Sequence, residues 1–172
     1  MEIIKNDDRL DIENKLRNYY TDIKKINILE EKIKSLKSIK ERIEDNIRHC
    51  DIKIEADLNM GVSYGEKVQT SSTGTGYAEG QIIKQIERQE KKAQELQEEI
   101  TRTLLEISDL SSKNAILKSI LDRIGHVYID IIEMYYKRGM SNRSIGMGLN
   151  LDERTIRNKK KEALRIIKKL IG

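Results

Sequence analysis

The chain has 172 residues, of which 36% are charged and 37% hydrophobic, with no Pro, Trp or Phe and a net charge of +4. The lone cysteine, Cys50, excludes an intramolecular disulfide, and apolar runs of only a few residues exclude a bilayer span. The acidic start MEIIKNDDRL does not read as a secretion signal, so a soluble, cytoplasmic, all-α protein is expected, with a long element joined to a small one.

From Asn6-Asp7-Asp8 a helix is predicted to start, and its apolar residues fall in heptads. Ile12, Tyr19, Ile26, Ile33, Lys40, Ile47 and Ile54 share one position. A second seam begins at Leu16 and Ile23 and shifts by one residue to Leu29, Leu36, Ile43 and Cys50. This coiled-coil-like stripe assigns residues 1–60 to one long helix, with Gly61 as its terminator. Residues 61–80 are rich in Gly, Ser and Thr and are expected to form a loop. A Walker-type phosphate loop would need Gly-Lys-Ser/Thr directly after a strand, and no strand pattern precedes this segment.

A second long helix is expected over 81–124. Ile86, Ala93, Ile100, Ile107, Asn114 and Leu121 keep seven-residue spacing, with Leu96, Leu110, Leu117 and Ile124 on the companion position. The two stripes fit an antiparallel helical hairpin with room left for a second subunit, and Ile26, Ile33, Ile100, Ile107 and Asn114 are the candidate oligomerisation residues of a dimer or small multimer. Asn114 could fix register and oligomer number, or could lie partly exposed near the helix end. Pairing within one chain and pairing between chains both satisfy the pattern.

Residues 125–172 read as a three-helix module. His126 to Arg138 offers Tyr128, Ile131, Ile132 and Tyr135 as a wall, and Gly139 ends it. Ser141 can cap a short helix running to Gly148, Asn150 suits a left-handed turn, and Asp152 can cap the last helix. On that helix Ile156, Ala163, Leu164 and Ile167 form an inner face, while Arg154, Arg157, Asn158 and Lys161 gather on the outer one. Arginine can fork onto guanine O6 and N7 and asparagine onto adenine N6 and N7, so the outer face suits a duplex groove. From Lys137 onward eleven Lys or Arg face three acids, a local balance of +8, which leaves −4 for the first 136 residues. The candidate DNA-binding residues are Ser141, Arg143, Glu153, Arg154, Thr155, Arg157, Asn158, Lys160 and Lys161.

The run IIEMYYKRGMSNRSIGMGLNLDERTIRNKKKEALRIIKKL, Ile131 to Leu170, resembles the helix-turn-helix of sigma-70 region 4. The matching positions are Tyr135, Tyr136, Gly139, Ser141, Ile145, Thr155, Ile156 and Arg157. Two departures stand out: Ser144-Ile145-Gly146 where that family has Glu-Ile-Ala, and Asn150 where it has glycine. With the loop motif Tyr64 to Ser71, the order of segments is similar to phage regulators of the ArpU and RinA type. The resemblance implies a sequence-specific double-stranded DNA-binding regulator, a late-gene activator working near a promoter with host RNA polymerase in a bacterial nucleoid.

No catalytic or metal site is expected, and no cofactor. His49 and Cys50 are sequence neighbours on a helix with no second ligand pair. A full sigma factor would hold melted bases on aromatic rings, and seven Tyr with no Phe or Trp argue against that role. The alternative from another class is a small terminase-like DNA-packaging subunit, which would assemble into a large ring.

Overall fold

The computed structural model describes residues 6–49 and 77–171. Among these residues the chain is entirely helical, with no strand: α1 Asn6–Arg48, α2 Tyr77–Leu121, α3 His126–Ile132, α4 Asn142–Leu149 and α5 Glu153–Ile171. The last turn of α3 widens into a π-helical stretch, Glu133–Lys137. A long N-terminal helix and a later long helix are therefore present as the heptads require. Most of the expected 61–80 loop, together with Cys50 and Ile54, lies outside the described residues. Tyr77 to Gly80, expected in that loop, instead opens α2. The cost of one glycine in a helix, about 1 kcal/mol, is small beside the packing of a 45-residue helix.

The residues divide into two compact units, Glu31–Leu105 on one hand and Met1–Glu30 with Glu106–Gly172 on the other. In the first, Ile33, Ile43, Ala93 and Ile100 are buried, and Thr103 satisfies its buried hydroxyl on the Glu99 carbonyl at 2.8 Å. Lys32 and Glu99 form an ion pair at 2.7 Å. The buried apolar side chains there lie on the stripe that the sequence displays, while Ile39, Ile83, Leu104 and Leu105 lie off it and are exposed.

The second unit holds the larger core. Ile12, Leu16, Tyr19 and Tyr20 of α1 meet Ile120 and Leu121 of α2, Ile124, Ile132 of α3, and Ala163, Leu164 and Ile167 of α5. Leu16, Ile132, Leu164 and Ile167 are fully buried, and each such side chain contributes roughly 1.5–3 kcal/mol of hydrophobic free energy. Asp22 accepts hydrogen bonds from Asn114 Nδ2 at 3.0 Å and Lys113 Nζ at 3.1 Å, while Lys25 pairs with Glu106 at 2.6 Å. Residue numbers rise along α1 as they fall along α2, so the two helices run antiparallel in this unit.

A second, smaller core joins Ile131 of α3, Ile145 of α4 and Ile156 of α5, all fully buried, with Met134, Tyr135, Met140, Leu149 and Leu151 around them. The tyrosine pair at the end of α3 serves both cores. Tyr135 packs into the smaller one and Tyr136 against the larger, and their rings meet edge to face at 4.9 Å. Arg17 of α1 lies 5.7 Å from the Tyr136 ring centroid. Burial pushes the Tyr136 hydroxyl well above its ordinary pKa.

Candidate functional site

The site is the α4–α5 pair, and its shape follows from three short-range devices. Ser141 sits in extended geometry, and its Oγ accepts from the Ser144 amide at 3.1 Å, capping α4. At the other end Asn150 adopts φ 52° and ψ 43°, left-handed values that asparagine tolerates. The Gly146 carbonyl then receives the amides of both Asn150 and Leu151, the latter at 2.9 Å. Asp152 precedes α5, and its carbonyl accepts from the Ile156 amide at 3.0 Å.

Gly146 carries a constraint that the sequence did not disclose. A Cβ there would stand 2.5 Å from the Leu151 carbonyl oxygen and 3.5 Å from the Glu153 amide nitrogen. Only a residue without a side chain lets α4 and the start of α5 approach this closely. Gly139 supplies the other glycine-dependent turn, with φ 69°, and the Met140 amide beyond it returns to the Met134 carbonyl at 2.9 Å.

With the turn fixed, α5 presents two unlike faces. Ile156, Ala163, Leu164 and Ile167 are fully buried, as the inner-face pattern requires. Arg154, Arg157, Asn158 and Lys161 are exposed on the outside, and Ser141 and Arg143 are exposed on α4 and its cap. Thr155 is half-buried. Arg143, Gly146, Met147, Asn150, Leu151, Asp152 and Glu153 line a shallow depression beside the turn. Arg157 is not idle: its Nη2 donates to Glu153 Oε1 at 2.7 Å, one helical turn back.

Lys160 corrects the sequence reading. It was expected among the DNA contacts, yet it is only 4% exposed, and its ammonium lies 3.4 Å from the centroid of the Tyr135 ring. The residue follows Ile156 by four, so it projects on the inner side, where the negative face of the ring replaces water. Lys159 likewise sits 5.5 Å from the Tyr128 ring centroid. In a run of three lysines, only Lys161 is fully turned to solvent.

The candidate oligomerisation residues are largely used within the single chain. Ile26, Ile33, Ile100 and Asn114 are buried, and Ile107 is half-buried. Asn114 additionally donates to the Leu110 carbonyl at 2.9 Å, so both of its amide hydrogens are engaged within one chain. Among the described residues no helix is long and apolar enough to cross a membrane, and no three His, Cys, Asp or Glu gather as a metal site would require.

No family model, no curated protein and no solved structure matches the chain.

Proposed function

We propose that the chain is a double-stranded DNA-binding transcriptional regulator in which α4 and α5 form a helix-turn-helix and α5 is the recognition helix. One observation carries this reading: the outer face of α5 exposes Arg154, Arg157, Asn158 and Lys161 together, while a separate face of the same helix is apolar and fully buried. Such a helix can lay cations and an amide along a groove while its other side stays anchored. The basic residues clustered after position 136, the buried Lys160 apart, supply the attraction for phosphates. The resemblance of Ile131 to Leu170 to sigma-70 region 4 supports action near a promoter alongside RNA polymerase, and the likeness of segment order to phage regulators supports a late-gene target.

The test is equilibrium binding of the full chain to random and selected duplexes at several salt concentrations. With about five phosphate contacts, log K should fall against log salt with a slope of roughly −4 to −5. Binding that ignores salt, or no binding in dilute buffer, would remove this reading.

A further inference from the structure

The Glu153–Arg157 pair stands where the recognition helix would enter DNA, and it goes further than a general contact surface. We propose that Glu153 is a positioning residue that holds the Arg157 guanidinium to read one guanine; this rests on α5 being the recognition helix. The carboxylate is the first residue of α5 and the guanidinium is one turn along, joined at 2.7 Å with side chains 45% and 57% exposed. Acid before base at this spacing is the favoured order on a helix, and an acid also suits the N-terminal end of the helix dipole.

An exposed ion pair contributes little to folding, so its value lies in orientation. A free arginine samples many rotamers, and each must be given up before its fork can meet O6 and N7 of guanine. The bond to Glu153 removes part of that freedom beforehand. It uses one of five guanidinium N–H donors, which leaves enough for a two-pronged contact. The carboxylate also repels phosphate oxygens. It therefore weakens attachment to any sequence that offers no guanine in compensation.

The test uses the full chain and a randomised double-stranded DNA library, with the wild type, Glu153→Ala, Glu153→Gln, Arg157→Ala and the double variant compared. Arg157→Ala should lose its preference for guanine at one base pair by about tenfold or more. Glu153→Ala should lose the same preference at the same base pair while binding random duplex more tightly than the wild type. Glu153→Gln keeps an acceptor and should recover part of the preference, and the double variant should be no less selective than Arg157→Ala. Unchanged base preference in Glu153→Ala would overturn the proposal, as would a loss at a different base pair, which would make the carboxylate a base reader itself. A wild-type chain with no affinity for any duplex would instead overturn the recognition-helix reading, and this one with it.

Discussion

Asn114 on α2 donates its side-chain amide to Asp22 on α1 at 3.0 Å, and this bond fixes which turn of one helix faces which turn of the other. Apolar stripes alone would tolerate a slip by a heptad. A buried amide that has only one carboxylate to meet would not.

The Asn114 bond, with Lys113 beside it, holds the Asp22 carboxyl below its usual pKa. A carboxylate whose folded pKa is depressed contributes stability above its unfolded pKa and loses it as pH falls through the folded value. Denaturation midpoints should therefore fall below about pH 4, and Asp22→Asn should flatten that acid limb. Asn114→Ala should cost about 1–3 kcal/mol at neutral pH, measured by chemical denaturation.

The two glycines of α4 should answer oppositely to alanine. At Gly148 nothing lies within 4 Å of an added Cβ, so Gly148→Ala should stabilise by about 0.5–1 kcal/mol through the unfolded state. Gly146→Ala meets the Leu151 carbonyl at 2.5 Å and should instead destabilise by about 1–3 kcal/mol. Thermal melts of both variants decide this, and a stabilised Gly146→Ala would mean that the turn is looser than described.

Lys160 and Lys161 are neighbours with different work. Lys160→Ala removes a nearly buried stem and its contact with Tyr135, and should cost on the order of 1–3 kcal/mol of stability. Lys161→Ala should leave stability within about 0.5 kcal/mol and reduce the salt slope of duplex binding by about one. If both variants changed only DNA affinity, the buried placement of Lys160 would be refuted.

Asn150 is the one non-glycine residue at positive φ among those described. Asn150→Gly should be close to neutral, because both residues accept left-handed geometry. Asn150→Val should lose about 1–2 kcal/mol and loosen the α4–α5 angle, visible as a lower melting temperature.

These features were unequally legible in the sequence. The heptads of Ile12, Tyr19, Ile26 and Ile33, the Ser141 cap, the Asn150 turn and the inner face of α5 could all be read, because each is a local periodicity or a residue with one preferred geometry. Lys160 could not, since a lysine between two others looks solvated until the ring beneath it is placed. The need for glycine at 146 depends on a carbonyl five residues away, and Asp22 gave no sign that its partner would be Asn114. The π turn at Glu133–Lys137 leaves no mark in composition either. For Lys160, Asp22 and Gly146 what was hidden was a contact between segments remote in the chain, or a backbone approach that only the assembled turn creates.

The larger core has a consequence for how the chain comes into being. Ile12 and Leu16 belong to α1 and Leu164 and Ile167 to α5, so this core closes only when segments far apart in the chain have met. Such closure is entropically slow and leaves a greasy ribbon uncovered in the meantime. A chain cut before α5 would lack Ala163, Leu164 and Ile167 and leave the α1 side of this core open, a substrate for proteases rather than a shortened protein.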